Sequence, residues 1–303
     1  MAMNRSQFWK DLEDGINAHF GMAYSDRPDE WKQIFSVENS QRAFEEDVLE
    51  VGLGVAQVKP EGSAVSEDAG GQGWTARYTH ITTALAFSIT EEAVEDNRYQ
   101  QLAPKYAKAL ARSMKMTKEI YGASVLNNGF SSSFVGGDGV ALLSASHPLW
   151  VGGTASNILG TPADLSETSL EDIMVQIRKA TDDRGLPIAL NATKLVLPPD
   201  LMFTATRLLR SSARPGTADN DINAIKAMGM LNSDPAIVTR LTDTDAWFVL
   251  TDAPDGLKHF VRKPLSKGME TQFDTGNARY KARERYSFGV SDPLGIFGSA
   301  GAN

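Results

Sequence analysis

The residues best suited to chemistry lie close together near the middle of the chain: Asp138, Ser144 and His147. An acid, a hydroxyl and an imidazole are the parts of a nucleophilic triad, in which the imidazole takes the proton of the attacking hydroxyl. No Gly-x-Ser-x-Gly turn surrounds Ser144, so nothing local would present its oxygen for attack. His147-Pro148 reads as a turn. Gly52-Leu53-Gly54 opens like a dinucleotide-binding fingerprint, but the third glycine is missing and the segment alternates like a strand. His19, His80, His147 and His259 have no metal-ligand spacing. Asp243 and Asp245 resemble the start of a calcium loop without its glycine and closing glutamate, and suit a β-turn better. The 303 residues include no cysteine, which removes disulfides, thiol nucleophiles, zinc ribbons and iron–sulfur clusters. The expectation is a protein without a catalytic centre, metal or cofactor. An enzyme whose site is assembled from distant loops is the alternative.

With 42% hydrophobic and 22% charged residues, the chain has an ordinary globular composition. No apolar run approaches the roughly 18 residues that span a bilayer, and the first residues lack the basic-then-apolar order of a signal peptide. Membrane partnership is not expected, and the cytoplasm is the expected place of synthesis. The net charge of -8 disfavours a dedicated nucleic-acid binder. That charge is uneven: residues 1–50 hold eleven acids and five bases, against 27 acids and 25 bases in the rest. An acidic segment on a nearly neutral body suits contact with a basic surface elsewhere.

Residues 1–46 read as a helix-bearing arm. Phe8, Trp9, Leu12, Ile16 and Phe20 recur at helical spacing, with Gly15 and Gly21 as interruptions, and a second short segment carries Trp31. The arm either caps its own core or packs on a neighbouring chain. Residues 47–89 read as a two-stranded ribbon. Its tip, residues 59–73, is rich in glycine and acid, and Trp74 to Ile89 alternates with Arg77, Thr79, Ile81, Thr83, Leu85, Phe87 and Ile89 on one face. Strands of about twelve residues would extend roughly 40 Å, too far for a compact domain of this size to cover, so the ribbon is expected on another subunit, with a hairpin folded into a larger sheet of its own chain as the alternative.

From residue 90 to 128 the pattern is helical, with Pro104 either starting a helix or kinking one, and Asn127-Asn128-Gly129 as the stop. Thr168 to Glu171 reads as a capping box before a helix that buries Leu170, Ile173, Met174 and Ile177. Residues 194–197 read as a buried strand, and residues 257–298 return to strand. There Tyr280, Ala282, Glu284, Tyr286 and Phe288 share one face, while Arg279, Lys281, Arg283 and Arg285 share the other. Four bases in a row repel one another unless acids or phosphates lie opposite. The acids Glu45, Glu46, Asp47, Glu61, Glu67 and Asp68 of a neighbour's arm or ribbon are the expected partners, with packaged DNA as the alternative.

The order of these elements resembles the major capsid proteins of tailed bacteriophages, with the Hong Kong 97-type fold. Ser88-Ile89-Thr90-Glu91-Glu92-Ala93, followed by Ala109 to Ser113, is similar to the entry of that family's spine helix. Glu119 to Ala123 with Val125 to Phe130 is similar to its end. Asp138-Gly139-Val140-Ala141-Leu142-Leu143-Ser144 leading to His147-Pro148 resembles phage head proteins, including the Mu-like branch. Ala282 to Tyr286, then Asp292-Pro293 and Phe297, resembles the closing strand.

The resemblance implies an α+β fold with an N-terminal arm (1–46), an extended E-loop hairpin (47–89), a peripheral P-domain combining a spine helix (90–130) with strands in 256–303, and an axial A-domain over most of 131–255. It implies a structural protein that tiles an icosahedral head as hexamers and pentamers around double-stranded DNA. Its partners would be itself, a portal, a separate scaffolding protein and a decoration protein. Inter-subunit contacts are then expected at Phe8, Trp9, Trp31, Lys59, Trp74 and Arg77 as well as at the acids and bases above. Some relatives cross-link through an E-loop lysine, an asparagine and a glutamate. Lys59 stands at the ribbon tip without a matched Asn/Glu pair, so no cross-link is expected. An encapsulin-like nanocompartment shell is the alternative within the same fold.

Overall fold

The computed structural model describes residues 5–95, 99–213, 221–232, 234–272 and 274–302, the side chains of 5–12, 94, 95 and 99–101 excepted. Helix α1 (Arg5–Ser25) runs through both Gly15 and Gly21 rather than breaking there. Its packing explains the difference: Ile16 and Phe20 are buried against the long helix and the sheet described next, which outweighs the helix penalty of about 1 kcal/mol per glycine. A 3₁₀ turn at Trp31–Gln33 leads to β1 (Ser36–Asn39), and β2 (Phe44–Val51) and β3 (Gly71–Thr79) form the ribbon.

The expected single strand from Trp74 to Ile89 is two strands, β3 and β4 (Ile81–Ile89). Ala76, Tyr78 and His80 point inward on one side of the break, and Ile81 and Ile89 on the other, so the inward parity flips between residues 80 and 81. Buried His80 fixes the flip, with Nε2 2.9 Å from Ser40 Oγ and Nδ1 3.0 Å from Ser287 Oγ. β3 leaves with β2 as the ribbon and β4 enters a sheet. Strands of eight and nine residues reach roughly 30 Å, shorter than expected.

After α2 (Glu91–Glu95), helix α3 (Tyr99–Asn127) carries 29 residues over about 44 Å. Pro104 lies inside α3, near its start, where only one backbone hydrogen bond is lost. Two short strands, β5 (His147–Pro148) and β6 (Thr154–Ala155), pair within the Gly/Ser segment. Helix α4 (Glu167–Arg178) buries the four residues expected, but its cap is Ser166 paired with Ser169 rather than Thr168 with Glu171. The chain continues through β7 (Ala192–Leu197), α5 (Met202–Arg210), α6 (Ala224–Met228), β8 (Ala236–Ile237), β9 (Trp247–Thr251), β10 (Leu257–Thr271), β11 (Ala278–Val290) and β12 (Ile296–Ser299).

Two four-stranded sheets organise this α+β chain. The first has the order β1-β10-β11-β4. One face of it carries α1 and α3 over Leu110, Met114, Tyr280 and Ala282. The second has the order β12-β9-β7-β8 and is buried on both faces. Leu195, Leu197, Trp247, Val249 and Phe297 meet α4 and α5 on one side. Val196, Phe248, Leu250 and Ile296 meet the end of α3 and Trp31 on the other. A strand covered on both faces reads as a continuous apolar run, which is why residues 194–197 show no alternation.

Candidate assembly surfaces

The former triad candidates are structural. His147 Nδ1 lies 2.6 Å from Asp138 Oδ2 and Nε2 lies 3.1 Å from Asn157 Oδ1, so neither ring nitrogen is left for Ser144. Ser144 Oγ instead lies 3.1 Å from Ser146 Oγ. Asp243 Oδ1 accepts from the amides of Asp245 and Ala246, a turn closed by the side chain where the sequence suggested a β-turn. Among the described residues no cluster of His, Asp or Glu could hold a metal ion.

The ribbon is seated on its own subunit at two levels. At its base, Lys258 Nζ binds Asp47 at 2.8 Å and Asp255 at 2.7 Å, with Glu38 at 3.5 Å. Burial opposes the ammonium charge, but the hydrogen bonds it donates to Asp255 and Asp47 outweigh it and hold Lys258 above the ordinary lysine range. Ser291 Oγ donates to Asp47 and lies 2.6 Å from Tyr78 Oη. Trp74 packs on Gly137, where a Cβ would sit 2.7 Å from the indole and 2.8 Å from the Ala76 amide. At the ribbon's neck, Arg184 Nη1 donates to Asp68 Oδ2 at 2.9 Å, and the same oxygen accepts from the Gly54 amide at 2.7 Å. Those bonds keep the Asp68 carboxyl below the usual carboxylate range, the Gly54 amide contributing most.

Several expected contact residues are therefore used inside the chain. Trp31, only 4% exposed, packs among His259, Phe288 and the Lys118 ammonium, and belongs to the core. Glu45 accepts from Ser40 Oγ at 2.6 Å, and Glu46 faces Arg77 at 3.8 Å while that guanidinium lies over Phe44. The side chains of Phe8 and Trp9 lie outside the described residues. Lys59, Glu61 and Glu67 stand exposed on the irregular tip, residues 52–70, beside exposed Leu53, Val55, Val65 and Val58, the last 94% exposed. Neither glutamate has an ion pair among the described residues.

The base row lies where its alternation implied, on the open face of the first sheet. Arg279, Lys281 and Arg283 are exposed and have no ion pair among the described residues. Arg285 is half-buried, and its Nη2 donates to the Ala43 carbonyl at 3.4 Å. Small residues flank the row: Ser88, Ala86, Ala84 and Thr82 on β4, and Gly268 and Ser266 on β10. Glu270, opposite Arg279, is the one acid in register with the row. The result is a shallow trough of about 960 Å³ over Ala84, Ala86, Gly268, Arg279 and Lys281, with Glu270 and Asp274 at its edge and the base row along its floor.

A model of the phage capsid protein family matches residues 75–298. The chain belongs to the phage capsid protein family. It is thus a structural, non-enzymatic capsid shell protein of the virion, and among the described residues no helix is long and apolar enough to cross a membrane. Solved capsids agree in fold. The procapsid of bacteriophage JBD30 matches 99% of this chain and 77% of its own, with a TM-score of 0.56 at 14% identity. The capsid of an empty GTA particle matches 91% of each chain, with a TM-score of 0.55 at 16% identity. The capsid of Myoviridae phage XM1 matches 91% and 92%, with a TM-score of 0.54 at 12% identity. No curated protein matches the chain. The fold of this capsid protein is the Hong Kong 97 type.

Sequence reasoning missed Lys258, Arg184, Ser291 and Asn157. Each acts on a residue far along the chain, as Lys258 does on Asp47, 211 positions away. Only Asp255, three residues before Lys258, carried a local signal. The sequence marks Asp292 by the Asp292-Pro293 motif alone. It accepts from the Leu294 amide at 2.8 Å, and burial raises its carboxyl to about 6. A carboxyl raised in the folded state favours folding while protonated and loses that contribution as pH rises from the ordinary aspartate range through about 6. Asp292→Asn keeps the cap and removes the cost. It should stabilise the subunit by about 2 kcal/mol at pH 7 and by little at pH 4, read from urea unfolding at both pH values. An equal effect at the two pH values would contradict this origin.

Proposed function

We propose that this capsid protein assembles as hexamers and pentamers into an icosahedral head enclosing double-stranded DNA, and that the ribbon tip of one subunit lies on the trough of the next. The observation that carries the reading is a mismatch left within one chain. An exposed row, Arg279, Lys281 and Arg283, has no ion pair among the described residues, with Glu270 and Asp274 the acids at the trough's edge, while Glu61 and Glu67 stand unpaired on an extended tip. A tip on one face and a trough on another make a heterologous contact, the kind that closes into rings. Exposed aliphatic residues at the tip, with Val58 foremost, fit burial on a neighbour.

In this reading residues 1–46 are the arm, 47–89 the E-loop, 90–130 and 256–303 the P-domain, and 131–255 mainly the A-domain. The two sheets support that division, the first lying with α3 and the second with α4 and α5. A portal, a separate scaffolding protein and a decoration protein complete the expected partners. The segment Asp138 to Pro148 supports a place in the Mu-like branch.

Each exposed pair is worth only about 0–1 kcal/mol, but the contact repeats in every subunit of a shell. Arg279→Glu with Lys281→Glu should leave the subunit folded by circular dichroism and cut the yield of closed shells at least about tenfold. Adding Glu61→Lys and Glu67→Lys should recover part of the yield. Normal shells from the first pair would sink the contact. If those shells also packaged DNA poorly, the row would face DNA instead.

A further inference from the structure

The bases of α3 divide into two sets. Residues 99–118 contain five bases and no acid. Two of the five are answered inside the chain: Lys115 Nζ lies 3.1 Å from Asp29, and Lys118 Nζ lies 3.3 Å from Glu284. Lys105, Lys108 and Arg112 are exposed and have no ion pair among the described residues. At about 100° per residue these three fall within about 60° of arc and about 10 Å of helix length. The face they share points away from the sheet, because Ala103, Ala107, Leu110 and Met114 on the other side of the helix are buried against it. Like charges three and four positions apart on a helix repel one another, and interleaved acids relieve the repulsion. No acid does so here. Glu119, the acid that follows on α3, gives its carboxylate to the amides of Glu30 and Trp31. On the flanking helices, Glu13, Asp14 and Glu92 form no ion pair with the three bases among the described residues. Ala109 and Ser113, both exposed, keep the surface low between the bases.

We propose that this face of α3 lines the inside of the shell and takes the phosphate backbone of the enclosed DNA, with Lys105, Lys108 and Arg112 as the contact residues. The inference rests on the reading of the protein as a shell around DNA, and adds which side of the subunit the DNA meets. The helix face and the trough lie on opposite sides of one sheet. α1 and α3 cover the face of Tyr280 and Ala282, while Arg279 and Lys281 point to the other. A shell one subunit thick has a single inner side, so the two sets of bases have different partners. The trough is a hollow with acids at its edge, which suits a single protein segment. The outer face of α3 is a convex ridge, free of acids up to residue 118, which suits a long uniform polyanion. Duplex DNA carries one negative charge per roughly 1.7 Å of its axis, so it meets three such bases in many registers. Contacts confined to phosphate carry no sequence information, as a container for any packaged sequence requires. The net charge of -8 does not oppose the contact, since salt screens exposed charges beyond about 10 Å.

Lysine footprinting of assembled heads tests it, with an amine-acetylating reagent and mass spectrometry. DNA-filled heads are compared with the same heads after their DNA has been released. Lys105 and Lys108 should react at least about fivefold more slowly in the filled heads, where phosphates hold their ammonium groups. Lys281, beneath a neighbour's ribbon in both states, should react equally in the two. Equal rates at Lys105 and Lys108 would overturn the proposal, as would DNA-dependent protection of Lys281 in their place. Slow reaction of Lys105 and Lys108 in the emptied heads as well would also overturn it, by showing that another protein chain covers the face. A variant separates a lining from an interface. Lys105→Gln with Lys108→Gln and Arg112→Gln should give closed shells at wild-type yield, because glutamine keeps the helix propensity and no neighbouring subunit needs the three charges. A folded variant that forms no shells would assign the face to a subunit contact and overturn the proposal. A wild-type chain that forms no heads would bring down the shell reading and this inference with it, whereas heads without the footprint overturn the inference alone.

Discussion

Lys258→Ala should destabilise the subunit by about 2–3 kcal/mol and free the base of the ribbon. The ammonium is buried and answers three carboxylates, Asp47, Asp255 and Glu38, within 3.5 Å. Breaking a buried ion pair by removing one partner costs about 3–5 kcal/mol, because the remaining charge is left uncompensated. Asp255 and Glu38 are largely solvated here, which places the expected loss below that range. Asp47 is the acid that suffers most, since it lies on the ribbon and also takes the Ser291 hydroxyl. Urea unfolding of the unassembled subunit measures the loss, and hydrogen exchange over residues 44–51 shows where it falls. A change below about 0.5 kcal/mol would mean that the ribbon is seated by Trp74 and Tyr78 alone.

Trp31→Ala should cost about 3–5 kcal/mol, the usual range for truncating a large buried aromatic. The indole lies 4.3 Å from the His259 ring and 5.6 Å from Phe288, centroid to centroid, and Lys118 Nζ sits 4.9 Å above it. Lys118 also pairs with Glu284 at 3.3 Å, and its cation–π contact would be lost with the ring. Next to it, Glu119 accepts from the amides of Glu30 and Trp31, at 2.9 and 3.1 Å, and holds the turn on α3. Thermal unfolding of the isolated subunit separates a core role from an interface role. A core tryptophan lowers the melting temperature of the subunit itself. An unchanged melting temperature with failed shells would return Trp31 to the interface.

Trp31 shows what a sequence hides. A tryptophan in an acidic arm reads as an anchor for another chain, and nothing within ten residues reveals that His259 and Phe288 close over it. The same limit explains Asp47, whose partner is 211 residues away. Alternation along β11 was fully legible, because residues 278–286 keep one parity between a covered and an open face. Alternation from Trp74 to Ile89 was misleading when read as one face, because the apolar side chains change parity at the break, from Trp74, Ala76 and Tyr78 to Ile81, Leu85, Phe87 and Ile89, where the two strands part. Helices were legible where one stripe is buried, as in α4, and their ends were less so. Ser166 rather than Thr168 caps α4 because Ser169 bonds back to it, a reciprocity that two neighbouring serines and a threonine cannot announce. The base row and the exposed ribbon tip were readable in type and position. Which acids remained free for a neighbour was not, since Glu45, Glu46, Asp47 and Asp68 find partners that only the fold brings near.

Negative-stain electron microscopy of the full-length protein, produced together with the products of its neighbouring genes, tests the shell most directly. Closed particles of uniform size, or rings of five and six subunits, are the expected result. A monodisperse monomer or dimer under those conditions, at concentrations where capsid subunits assemble, would contradict a shell-forming role.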